Sequence, residues 1–175
     1  TLHRLVLKDV MGDESVFALM LLIENVATLV MVPVWLWLSL RIGKHQALLL
    51  AVLWLALWSL PLVLLGPGDS TWLMVLIAIR GSSFASVLFL ANSIAADVID
   101  VDTLASGQQR SGLYFAAWGM AIKLSLALGV LLGTLLPSLV GYDPGADGVT
   151  QDAQHGLMVV YGLVPALMMA AAALF

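Results

Sequence analysis

The side chains able to do chemistry in this chain fall into two settings. Between Ala96 and Lys123 the sequence reads ADVIDVDTLASGQQRSGLYFAAWGMAIK, which sets Asp97, Asp100 and Asp102 ahead of a Gly-Gln-Gln-Arg turn ending in Arg110. Asp-x-x-Asp at helical spacing puts two carboxylates on one face, a pattern that can hold Mg²⁺ against a diphosphate. Elsewhere Glu24, Arg80 and Lys123 stand singly inside long apolar runs. A charge at bilayer depth costs ~2.5–3.5 kcal/mol on insertion scales, so each of the three should face protein or water and mark an interior.

Other motifs carry less. Asp143-Pro-Gly145-Ala-Asp147-Gly148 imitates the start of a calcium loop, but its twelfth position is Gln154 in place of a bidentate glutamate. His3, His45 and His155 have no ligand spacing, and no metal site is expected. No Walker loop, Gly-x-Ser-x-Gly elbow or His-Glu-x-x-His is present. The aspartates lack the second acidic motif that a Mg²⁺-dependent membrane transferase needs, so that activity stands as an alternative reading.

The elements that must position these groups are membrane helices. Of 175 residues 62% are hydrophobic and 10% charged, against roughly 25% charged in a soluble domain, so the exterior needs lipid as its solvent. Net charge is -4 without a basic block, which gives no sign of nucleic-acid binding, and the lack of cysteine excludes disulfides and thiolate metal sites. Crossing ~30 Å of hydrocarbon takes ~20 apolar residues. On that count the fold class is all-α and polytopic, with five spans at about 16–40, 47–65, 71–96, 113–140 and 156–175. Residues 1–15 are read as the last turns of a severed helix and a Gly12-Asp13 turn. The apolar end at Phe175 adds to the expectation of a fragment.

Charge and periodicity orient the spans. The joints at 41–46 and 97–112 hold Arg41, Lys44 and Arg110, whereas those at 66–70 and 141–155 hold no lysine or arginine, so the first pair is expected to be cytoplasmic. Lys123 shares a helical face with Gly112, Ala116, Gly119, Ala127, Val130 and Thr134, nearly all small. Such a stripe suits close packing or the wall of an aqueous cavity. Glu24 shares its face with Phe17, Met20, Thr28, Met31 and Trp35, which could line a ligand site. Pro33, Pro61 and Pro165 should perturb three spans, and Gly129 and Gly133 predict a tight helix contact.

ADVIDVD at the end of one helix, Gly-Gln-Gln-Arg, and SGLYFAAWGMAIK entering the next resemble the loop between helices 10 and 11 of the glycoside-pentoside-hexuronide cation symporters. These form the melibiose-permease-like branch of the major facilitator superfamily. PVWLWLSLRIGKHQALL is similar to that family's junction of helices 8 and 9, and Gly-Tyr-Asp-Pro after span four and GLMVVYGLVP in span five also fit.

The resemblance implies that the spans are helices 8 to 12 of a C-terminal half-domain, with the N-terminal six-helix half absent. It implies no enzyme activity but cation-coupled transport of a small solute, a sugar or glycoside, by alternating access. Lys123 falls on the family's helix 11 lysine, in the wall of a cavity with Trp118 and Gly119, so that it competes with Na⁺ or H⁺ for carboxylates of the missing half. Glu24 and Arg80 match no family motif and rest on the cost of charge in a membrane alone, as groups that contact the solute or pair with each other. No cofactor is implied beyond that coupling ion. Arg110, Arg41 and Lys44 with Asp97, Asp100 and Asp102 would form a cytoplasmic gate. The expected surroundings are lipid, in a bacterial inner membrane. Ser111 stands where many members have glutamate, and Gly119 replaces a polar group of sugar permeases. A lysolipid or other amphipathic solute, and a non-transporting membrane subunit, therefore stay open.

Overall fold

The computed structural model describes residues 2–143 and 149–174. Most of the calcium-loop look-alike, residues 144–148, lies outside the described residues. The chain enters as α1 (Leu2–Leu5), widens into a π-helix over Val6–Met11 and stops at Gly12, whose φ of 72° is left-handed. A 3₁₀ turn, Glu14–Val16, follows; the Asp13 carboxylate caps it by accepting from the Ser15 N–H at 3.1 Å. Then come α2 (Phe17–Ile42), α3 (Lys44–Ser59), a 3₁₀ turn at Leu60–Leu64, α4 (Ser70–Gly81), α5 (Phe84–Ser106), α6 (Ser111–Leu139) and α7 (Gln151–Ala172).

Among the described residues five stretches are long and apolar enough to cross a membrane: Glu14–Ile42, Lys44–Leu64, Ser70–Ser106, Ser111–Leu139 and Gln151–Ala172. This is an all-α, multi-pass integral membrane protein. Helices satisfy their own backbone groups, which is what hydrocarbon demands.

Several joints are shorter than the polar residues suggest. Residues 41–46 are helical except at Gly43, where φ 91° turns the chain directly from α2 into α3. Residues 97–106 are the end of α5, so the turn there is confined to 107–110. The last helix starts at Gln151 rather than Gly156, because the Thr150 hydroxyl caps it by accepting from the Ala153 N–H. The third span differs most: it breaks at Ser82 and Ser83 into α4 and α5. Pro61 lies where α3 gives way to 3₁₀ turn, while Pro33 and Pro165 sit inside α2 and α7.

The core joins Val6, Leu7, Val10 and Met11 of the π-helix to Met20, Leu62, Leu73, Ile77, Leu157, Met158 and Tyr161. Lipid tails are as apolar as leucine, so van der Waals fit and hydrogen bonds hold this core together rather than exclusion from water. The main pairings are α3 with α7, α2 with α4 and α3 with α5. By contrast, Pro137 is the one buried residue of α6 among the described residues.

Candidate functional site

The break in the third span lies at bilayer depth, where bare backbone must find partners. α4 rises ~18 Å over its 12 residues before it. Helices α2 and α3 supply the partners. The Trp35 indole N–H donates to the Ser82 carbonyl at 3.0 Å, and the Thr28 hydroxyl lies 2.6 Å from the Gly81 carbonyl. The Trp54 indole N–H donates to the Ile79 carbonyl at 2.8 Å, and the Ser83 hydroxyl donates to the Ala51 carbonyl at 3.3 Å. Ser82, Ser83 and Ser86 are buried, and their hydroxyls also turn back on neighbouring carbonyls. Each freed carbonyl therefore has a donor, and the break is a stitched seam.

Beside the seam sits a charged cluster. Arg80 Nη2 lies 3.6 Å from Glu24 Oε1, with the two side chains 12% and 16% exposed. The Arg80 guanidinium is also 5.8 Å from the centroid of the Tyr161 ring. The Tyr161 hydroxyl is 2.6 Å from His3 Nδ1, with the imidazole edge-on to the phenol ring. Four helices thus converge on one point. Glu24, Arg80 and Tyr161 each lie ten residues past the first residue of their apolar stretches, Glu14, Ser70 and Gln151, so they come at one level of the bundle. Close approach is possible because residue 81 is glycine: a Cβ there would stand 2.7 Å from Glu24 Cγ.

Lys123 is elsewhere. Its helix, α6, has an exposed lysine in an exposed apolar face, and among the described residues Lys123 forms no hydrogen bond or ion pair. The small-residue stripe meets little: a Cβ on Gly119 or Gly129 would have nothing within 4 Å, and one on Gly133 would touch the Leu2 side chain at 3.7 Å. The helix contact expected of Gly129 and Gly133 is not made by another long helix of the described residues. On the neighbouring face of α6, Trp118 donates from its indole to Asn92 Oδ1 of α5 at 2.8 Å. A cavity of about 490 Å³ lies there, walled by Leu48, Ile94, Ile99, Tyr114, Phe115 and Trp118.

At the end of the bundle that holds Gly43 and Gly107, Lys44 Nζ reaches Asp97 at 2.6 Å. Arg41 lies over the Trp37 ring at 5.5 Å. Arg110 does not join the aspartates: its guanidinium donates to Gln108 Oε1 at 2.8 and 3.0 Å. One oxygen of Asp102 is buried without a hydrogen bond, and Asp100 is exposed. Among the described residues no group of three or more acids or histidines could hold a metal ion. At the opposite end the Tyr142 hydroxyl donates to the Asp9 carboxylate, and Gln154 Nε2 donates to the Asp9 carbonyl at 2.8 Å. Burial, and after it the bond to Asp9, push the Tyr142 phenol above its ordinary value.

The chain matches the model of the MFS/sugar transport protein family over residues 1–175. It belongs to that family. Among curated proteins it is similar to the sodium-dependent lysophosphatidylcholine symporter 1-A of Danio rerio, with 23% identity over 169 residues. The match covers 94% of this chain and 31% of the relative, so the chain spans about a third of that protein's length. No solved structure matches it.

Membership in the MFS/sugar transport protein family places the chain with transporters and not with enzymes, and Asp97, one of the three acids of the transferase reading, is paired with Lys44. In this structure Thr28 and Trp35, read from the sequence as sharing a face that could line a ligand site, bond the carbonyls of the seam, and Arg110 bonds Gln108. Sequence reasoning also missed His3, Tyr161, Trp54 and Asn92, because their partners are 25 or more residues away. The one local signal was Gly81-Ser82-Ser83 in the middle of a span.

Proposed function

We propose that the chain is the C-terminal part of a cation-coupled secondary symporter, working by alternating access against an N-terminal six-helix half. The observation that carries this reading is Lys123, a lysine without a partner among the described residues on the exposed apolar face of α6, in a chain of the MFS/sugar transport protein family. A lysine at bilayer depth needs a carboxylate or water. Carboxylates across a central cavity would answer it, and Na⁺ or H⁺ would compete with Lys123 for them. Trp118 and Gly119 lie about one turn away on the same helix, and Glu24 with Arg80 forms a charged pair inside two other spans of this half. In the full-length protein, Lys123→Ala should abolish the ion dependence of solute uptake; uptake with unchanged ion dependence refutes the coupling role.

The solute is read as amphipathic. The cavity between α5 and α6 is walled by aliphatic and aromatic side chains, which accept an alkyl chain better than a ring of hydroxyls, and the Danio rerio relative is named for lysophosphatidylcholine and sodium. A sugar or glycoside is the second reading, favoured by the description of the family itself. Uptake of radiolabelled lysophosphatidylcholine and of a methyl glycoside into proteoliposomes separates them: the first is expected to be carried, and carriage of the glycoside alone reverses the assignment. The end bearing Arg41, Lys44 and Arg110 is read as cytoplasmic, in a bacterial inner membrane. Lys44 and Asp97 would close it as a gate, with Asp100, Asp102 and Arg110 around them.

A further inference from the structure

We propose that the cavity between α5 and α6 is a binding site for an amphipathic amine, with its apolar body between the helices and its ammonium group at Asp102. Separate observations carry the two ends of this ligand. For the body, α5 turns Ile94, Ala95, Val98 and Ile99 to the cavity, and α6 faces them with Tyr114, Ala117, Trp118 and Ala121. The volume of about 490 Å³ is within the range of small-molecule sites. None of the walls carries a charged side chain, so a charge on the occupant has to be met at the mouth.

Asp102 is at that mouth. It follows Ile99 by three residues and Val98 by four, which continues the cavity-facing stripe of α5 by one turn. The other two acids leave the stripe: Asp97 is bound to Lys44, and Asp100, two residues past Val98, is about half a turn away and exposed. One oxygen of Asp102 is buried and accepts no hydrogen bond, and Asp102 forms no ion pair among the described residues. A buried acceptor left without a donor is costly and rare in a folded protein. An ammonium group supplies the N–H and the opposite charge together. Tyr114, in the first turn of α6, brings its ring to the same end of the cavity, and ring faces attract ammonium groups.

The lysine and arginines at this end of the bundle are placed elsewhere. Arg110 donates to Gln108, Lys44 is on Asp97, and Arg41 lies over Trp37. Lys123 is on the wrong side of its helix: it comes nine residues after Tyr114, about two and a half turns along α6, and so projects from the face opposite the cavity. The cation that answers Asp102 therefore comes with the occupant. An anion of the same shape meets only the aspartate there. That the occupant of the cavity is the transported solute rests on the reading above; the amine site does not.

The test is the binding of decylammonium, against decanesulfonate as an anion of equal chain length, to the full-length protein in nanodiscs. Competition by decylammonium against lysophosphatidylcholine uptake into proteoliposomes accompanies it. With binding to empty nanodiscs subtracted, the wild type should prefer decylammonium by about tenfold. Asp102→Asn should weaken decylammonium roughly 10–100-fold, the range of a hydrogen bond to a charged group, and leave decanesulfonate no weaker. Asp102→Glu, a second variant should the first fail to fold, should keep the preference for the cation, and Ala95→Phe, which fills the cavity, should weaken both probes. Equal binding of decylammonium by the wild type and Asp102→Asn, or no preference over decanesulfonate, overturns the amine site. Asp102-dependent amine binding without competition against uptake supports the site and refutes the cavity as the place of the solute. Uptake of lysophosphatidylcholine without Asp102-dependent amine binding overturns the site and leaves the transport reading standing.

Discussion

The seam around Ser82 and the helix α6 handle polar groups in opposite ways. At the seam, five carbonyls, those of residues 79 to 83, are met from within the chain by Thr28, Trp35, Trp54 and the serines, and the charges of Glu24 and Arg80 are met by each other. Along α6, 29 residues pass with little company, and Lys123 is left to the outside. The lesson is a division of labour. The first region organises this half by itself, whereas the second has the chemistry of a surface made for another body.

The contrast predicts unequal sensitivity to substitution. Arg80→Gln leaves the Glu24 carboxylate without its counter-charge and should destabilise the full-length protein by ~3 kcal/mol, measured by denaturant unfolding in detergent; a loss within error would show that the pair is not part of the organised half. Gly81→Ala puts a Cβ 2.7 Å from Glu24 Cγ. Overpacking of this kind costs ~1–3 kcal/mol, and the same unfolding assay should find a loss in that range. Stability that did not change would mean that α2 and α4 separate easily.

The smaller effects lie outside the seam. The phenol of Tyr142 is held above its ordinary value, so the folded state binds its proton more tightly than the unfolded chain does. Its contribution is fully present below the unfolded tyrosine pKa of about 10 and is lost as pH rises through the folded value. A thermal melt series at rising alkaline pH should show this decline, and Tyr142→Phe should flatten it. Lys123→Ala should change the stability of this half by less than ~0.5 kcal/mol, since the lysine has no partner among the described residues. A large loss there would erase the comparison and place Lys123 within the organised half.

Apolar runs of about twenty residues marked out by themselves a multi-pass membrane protein and the five stretches of the described residues long enough to cross a membrane, because hydrocarbon admits few other solutions for a backbone. The same logic singled out Glu24, Arg80 and Lys123, since isolated charges in such runs are costly wherever they lie. What only the tertiary structure decided is which neighbour meets each charge. Glu24 and Arg80 are 56 residues apart and pair because α2 and α4 pack at Gly81; Lys123, legible as their equal, has no partner among the described residues. Local polarity also placed joints at 41–46 and 97–112, where the turns are in fact confined to Gly43 and to 107–110, since a helix that leaves the membrane keeps its backbone bonds while its side chains turn polar. The break at Ser82 was hidden for a related reason. Gly81-Ser82-Ser83 is its one local mark in the sequence, and its carbonyls are satisfied by Trp35 and Trp54 from helices that only folding brings beside it.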